Sequence, residues 1–105
     1  IKFIRKMCEK EFYPVVEKYY ELLKEYRFLF PHVKYRSMKS RWGSCTPSKN
    51  QICLNTKMLH YPKAFMEYVV LHELAHFVEP NHSTSFYRVI EYYMPDYKER
   101  KKLIQ

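Results

Sequence analysis

The sequence predicts an α+β fold, and three observations carry the prediction. Apolar residues recur at helical spacing from Val15 to Tyr26, and again on both sides of Pro80. Residues Val33 to Lys39 alternate with period two, and Ile52 to Asn55 offers a second short strand. Between these strands the run Thr46-Pro47-Ser48-Lys49-Asn50 carries turn chemistry. At 105 residues the chain has room for one domain, residues 1–105, and one core shared by everything in it. Its 47% hydrophobic and 18% aromatic content excludes a disordered chain and suits a small fold stabilised by packing.

The elements follow in order. In the first helix Val15, Val16, Tyr19, Leu22, Leu23 and Tyr26 form the apolar stripe, with Glu17, Lys18, Glu21, Lys24 and Glu25 between them. Pro14 either opens this helix or kinks a longer one that starts near Phe3. The two strand candidates and the turn predict an antiparallel hairpin, hence a small antiparallel sheet. The single glycine, Gly43, marks a bulge or a close backbone approach. Pro62 suits the first turn of a helix running to about Glu79, where Pro80 and Asn81 stop it. That helix is apolar on most sides, which predicts a central, buried position. Ser83 can cap a further helix striped by Phe86, Val89, Ile90 and Tyr93, and a short basic helix follows Pro95.

Composition narrows the functional classes. No apolar run approaches the roughly 18 residues of a membrane span, and Ile1-Lys2-Phe3-Ile4-Arg5-Lys6 lacks the apolar stretch of a signal peptide. The expectation is a soluble, cytoplasmic protein without membrane partners, although Ile rather than Met at position 1 leaves the native start open. Cys8, Cys45 and Cys53 are odd in number and lack C-x-x-C spacing, so they read as buried thiols; a Cys45–Cys53 bridge across a hairpin is conceivable but disfavoured in a reducing compartment. A formal charge of +8 attracts polyanions or acidic substrates. Part of it lies in Lys98, Arg100, Lys101 and Lys102, a run whose ordinary reading is a solvated helix face.

The most informative feature is His72-Glu73-Leu74-Ala75-His76, followed by His82. On a helix, His72 and His76 sit one turn apart on one face, so both imidazoles reach one ion while Glu73 flanks it. This is the H-E-x-x-H arrangement. Catalytic zinc takes three protein ligands and leaves the fourth position to water, whose proton Glu73 would accept. The rival reading makes the histidines satisfied helix residues, but three imidazoles and a carboxylate in a buried segment are expensive without an ion. The Pro80-Asn81 turn lets the chain double back and bring His82 to the pair. Glu79, Glu91, Asp96 and Glu99 are rival third ligands. Glu79 suits a supporting carboxylate better, and Glu91 competes only if the Asn81 turn points outward. His32 and His60 precede presumed element starts and read as surface or capping residues.

Ser40-Arg41-Trp42-Gly43-Ser44-Cys45, Leu54-Asn55, Tyr68-Val69-Val70-Leu71 running into the histidine motif, Pro80-Asn81-His82-Ser83, Phe86-Tyr87 and Pro95-Asp96-Tyr97-Lys98-Glu99-Arg100 together resemble the minigluzincin zinc peptidases. A wider group of prokaryotic metal-dependent hydrolases shares Arg-Trp-Gly-Ser-Cys before His-Glu-Leu-x-His, so the similarity covers about residues 35 to 102. The resemblance implies a gluzincin-like half-domain: an N-terminal helix, a small sheet above a cleft, the zinc helix and helices beneath it. It also implies one Zn2+ held by His72, His76 and His82, with Glu73 as general base and acid. Metzincins share the His72 to His82 spacing, but Glu79 stands where they have glycine. The family is further implied to be latent, with residues 95–105 covering the cleft in the same chain or in a homodimer.

These readings converge on a zinc metallopeptidase acting on peptide or unfolded protein. Tyr87, Arg41 and Asn55 are candidate oxyanion donors beside their ordinary roles in packing, surface and turn. Two other classes stay open: a zinc-dependent hydrolase of nucleotides or phosphoesters, and a nucleic-acid-associated zinc module. Against the second, no helix shows clustered Arg and Lys interleaved with exposed aromatics.

Overall fold

The structure is a computed structural model that describes residues 2–104. Two consecutive helices open it, α1 (Lys2–Glu11) and α2 (Tyr13–Leu22), so Pro14 does not merely kink one long helix. Pro14 lies in the first turn of α2, where its missing N–H costs nothing, and it cannot continue the ladder of α1. From α2 the chain buries Val15, Val16 and Tyr19. The apolar stripe read from the sequence is only partly buried: Leu23 is in the core, while Leu22, at the end of α2, and Tyr26 stay exposed. Arg27, in the left-handed region at φ 58°, turns the chain away.

The sheet has three strands, β1 (His32–Arg36), β2 (Gly43–Thr46) and β3 (Gln51–Asn55), in the order β1-β3-β2. This corrects the expected hairpin and the expected all-antiparallel sheet. The turn at 46–50 is real, but it joins β2 to β3; Asn50, at φ 49°, closes it. β1 instead lies parallel to β3 on the other side, with Val33 opposite Ile52 and Tyr35 opposite Leu54. Period-two alternation reports which face a side chain takes and carries nothing about strand direction. The register also disposes of a disulfide. Cys45 faces Ile52, so Cys45 and Cys53 project to opposite faces, and all three thiols are free.

Helix α3 (Lys63–Ala75) crosses beneath the sheet and carries the core, burying Phe65, Met66, Val69, Val70, Leu71, Leu74 and Ala75. Pro62 stands just before it in an extended conformation, as its N-cap. It ends at Ala75, four residues short of the expected Glu79. Glu79 precedes Pro80 and is biased away from helical backbone, so the last residues wind as tight turns, with Val78 and Glu79 both donating to the Ala75 carbonyl. Helix α4 (Thr84–Tyr93) starts as expected, Ser83 Oγ accepting from the Phe86 N–H at 3.3 Å. Helix α5 (Tyr97–Lys101) and a 3-10 turn at Lys102–Ile104 close the described chain. Among the described residues no helix is long and apolar enough to cross a membrane.

Candidate metal centre

Three elements build the site. The last turn of α3 presents His72 and its C-cap is His76, the turn at Pro80 returns the chain, and the entry to α4 presents His82. One potential ligand atom from each histidine lies within 4.8 Å of the others, and His76 Nε2 and His82 Nε2 are 3.0 Å apart. Among the described residues this is where three such groups converge. Phe86, fully buried on α4, is their common floor, its ring 5.0 Å from His72, 4.7 Å from His76 and 5.0 Å from His82 between centroids.

The donors fit a zinc ion. Zinc–nitrogen bonds of about 2.0–2.1 Å in a tetrahedral site place nitrogens roughly 3.4 Å apart. The separations here bracket that value, so small ring rotations suffice. His76 Nδ1 lies 3.2 Å from the Pro80 carbonyl, which can only accept, so that contact assigns the proton to Nδ1 and leaves the Nε2 lone pair directed at the cluster. Burial, ahead of the raising effect of Glu73, pulls the His76 pKa below its ordinary value and favours the neutral ring a metal needs. The early end of α3 therefore has a consequence for the site: the tight turns bring the Pro80 carbonyl back to the ring.

Glu73 points to the sheet side. It is 6% exposed, and its Oε2 lies 3.4 Å from His72 Nδ1. Above it passes the backbone of Gly43, where an added Cβ would stand 3.0 Å from Glu73 Cγ and 3.0 Å from Val69 Cγ1. Gly43 is thus the close approach that its isolation suggested. A cleft of about 460 Å³ opens beside the histidines, bordered by β2 through Gly43, Ser44 and Cys45. Next to it an aromatic cavity of about 340 Å³, lined by Trp42, Phe65, Tyr68 and Val69, also reaches Glu73.

The rival ligands fall elsewhere. Glu91 is exposed and borders a neighbouring groove with His82 and Tyr87, and Asp96 is paired with Arg100 at 3.1 Å. His32 and His60 are surface residues. Asn55 is not free to serve an oxyanion: its Nδ2 donates to the Met38 and Arg41 carbonyls at 2.9 and 2.7 Å, while its Oδ1 accepts from the Lys57 N–H. It clamps the loop that delivers Arg41, Trp42 and Gly43 to the cleft. Sequence reading found Asn55 but missed this role, together with the Pro80 carbonyl, because both depend on backbone acceptors brought in by the fold.

The tail runs past the site. Tyr97 is sandwiched between Tyr68 and Tyr87, 6.2 Å from each. Arg100 holds it to α3, 2.7 Å from Glu67 and 3.3 Å from the Ala64 carbonyl. Lys101 and Ile104 then form part of the aromatic cavity's wall.

The YgjP-like metallopeptidase domain model matches residues 1–105. Among solved structures, the chain is similar to the metallopeptidase zymogen abylysin of Pyrococcus abyssi, with 28% identity over 85% of this chain and 90% of that one and a TM-score of 0.71. It shares its fold with the metallopeptidase zymogen jannalysin of Methanocaldococcus jannaschii, at 20% identity, 90% and 87% coverage and a TM-score of 0.76. The resemblance to minigluzincins read from the sequence agrees with both. No curated protein matches the chain significantly.

Proposed function

The chain belongs to the YgjP-like metallopeptidase family, and from that premise we propose that it is a zinc-dependent peptidase holding one ion through His72, His76 and His82. The observation that carries this reading is the convergence of three ring nitrogens beside a buried carboxylate at the mouth of a cleft. Zinc on three neutral imidazoles would supply Lewis acidity to the attacking water and to the scissile carbonyl. Glu73 takes the proton from that water as the C–O bond forms, and returns it to the leaving nitrogen as the C–N bond breaks. The backbone of Gly43 covers the carboxylate from above, which limits its reach to the cleft side. His76 is kept neutral and oriented through Nδ1. An extended substrate would pair with the outer edge of β2 and place an apolar side chain in the Trp42–Phe65–Tyr68 cavity.

Glu73→Gln should keep zinc and fold while lowering hydrolysis of an unfolded protein by about 10² to 10⁴, the usual worth of acid–base help. Full activity in that variant would sink the mechanism. His82→Ala should markedly weaken zinc retention in metal analysis; unchanged affinity would move the third ligand to a carboxylate.

The finer reading is latency. Tyr97, Arg100, Lys101 and Ile104 hold residues 97–104 against the wall of the cavity beside Glu73, where the tail would narrow access. A chain ending at Asp96 that retains zinc and a cooperative melt should cleave an unfolded protein faster than the full chain. No gain would make the tail a structural helix only. A nucleotide-directed hydrolase remains the second reading, favoured by Arg41 and Lys101 at the same cavity. Phosphate release with zinc, without any protein cleavage, would select it.

A further inference from the structure

The sheet has a second unpaired edge, remote from the histidines. β1 pairs with β3 on one side only. His32 N–H donates to the Asn50 carbonyl at 2.8 Å. In a parallel ladder this phase turns the backbone groups of His32, Lys34 and Arg36 toward β3 and those of Val33 and Tyr35 outward. The outward edge does not face open solvent directly. It forms one side of a groove of about 520 Å³ whose other side is Ile4 and Arg5 of α1 and whose end is Ser37 and Thr56. None of these residues borders the histidine cleft.

Two properties of the groove define what fits it. Its backbone edge offers N–H and C=O groups at Val33 and Tyr35, which suits an extended peptide strand. Its side chains are segregated by face: Lys34 and Arg36 are exposed on one, while Val33 and Tyr35 are half-buried on the other, where Ile4 overhangs at 46% exposure. Arg5 adds a third cation, engaged among the described residues only by Glu9 at 4.0 Å in an exposed pair of little strength. Opposed residues of neighbouring strands share a face, so an added strand would set alternate side chains against Lys34 and Arg36 and the others against Ile4 and Val33.

We propose that the α1–β1 groove is a docking site for an extended acidic segment of another protein, in which Asp or Glu alternates with apolar residues. Charge on an edge strand is also a common guard against self-pairing. At a net +8 that guard repels a second copy of this chain, and the complementary occupant is an acidic strand.

The test uses the full chain carrying Glu73→Gln, so that no peptide is cut, and a short labelled peptide alternating Glu and Val, followed by fluorescence anisotropy. Saturable binding is expected, weakened at least about tenfold by Lys34→Glu with Arg36→Glu. N-methylating every second backbone amide of the peptide, which leaves its charge intact, should weaken it by a similar factor. If the double variant does not fold, Lys34→Ala with Arg36→Ala takes its place, because methylation alone would also weaken pairing with the outer edge of β2. The proposal is overturned if the methylated peptide, or one with the same residues segregated into a Glu block and a Val block, binds as well as the alternating one. It is equally overturned if the labelled peptide does not bind, or if a single-stranded oligonucleotide binds the groove more tightly and displaces the peptide.

Discussion

The two edges of one small sheet are built for different tasks. At the β2 edge the backbone descends onto α3 until Gly43 almost touches Glu73, and the surroundings are aromatic, half-buried and shaped around one carboxylate. At the β1 edge the side chains Lys34 and Arg36 stand in solvent, and α1 overhangs only the opposite face, through Ile4. The contrast teaches that tolerance should be local: substitutions of similar size should be costly at β2 and nearly silent at β1.

Gly43→Ala should show the largest difference between the two edges. A methyl group at 3.0 Å from Glu73 Cγ and Val69 Cγ1 forces its neighbours to give by a few tenths of an ångström. Glu73 is one of them, so kcat should fall by about tenfold, since displacement of a catalytic group by 1 Å costs about a hundredfold. Overpacking should also remove about 1 kcal/mol of stability. Lys34→Ala on the other edge should change neither activity nor melting beyond about 0.5 kcal/mol. Equal effects at the two positions would end the distinction.

Asn55→Ala separates support from chemistry. It abandons three hydrogen bonds at a side chain only 2% exposed, with a cost of about 1–3 kcal/mol in denaturant unfolding. Because Asn55 holds the loop before Gly43, the variant should also raise KM for peptides. A variant that melts lower but keeps KM would confine Asn55 to stability.

The sequence made the histidine cluster legible because its geometry is local. His72 and His76 are one helical turn apart, and His82 follows within a single turn of chain, so covalent spacing nearly determines proximity. The same holds for the Ser83 cap and for the turn at Thr46–Asn50. What escaped was everything joined by tertiary structure alone. The pairing of β1 with β3 in parallel has no signature in a five-residue alternation, and the clamp of Asn55 on Met38 and Arg41 spans 17 and 14 residues. The basic groove is assembled from Ile4 and Arg5, from Val33 to Ser37 and from Thr56, three segments that no local pattern connects.

The finest difference between the edges is electrostatic, and two thiols report it in the metal-free protein. Burial is the leading cause at both and pushes both pKa values up. For Cys45 on β2 the next influence is the Glu73 carboxylate, which pushes further, to about 12. For Cys53 on β3 the next influences are Arg36 and Lys34, which pull back down, ahead of a smaller upward push from Glu73. Both thiols therefore stay protonated in the native state at a pH where the unfolded chain, with thiols near 9.0, has begun to ionise, so their burial favours the fold below that pH and ceases to do so as pH rises through their raised native values, about 12 for Cys45. Within the native state Cys53 should ionise before Cys45, as read from the carbon-13 shifts of the two β-carbons. Lys34→Glu with Arg36→Glu should raise Cys53 toward Cys45 and leave Cys45 nearly unmoved. Cys45 titrating first, or both thiols shifting equally in that variant, would show that the cations of β1 and the carboxylate of the cleft do not divide the sheet between them.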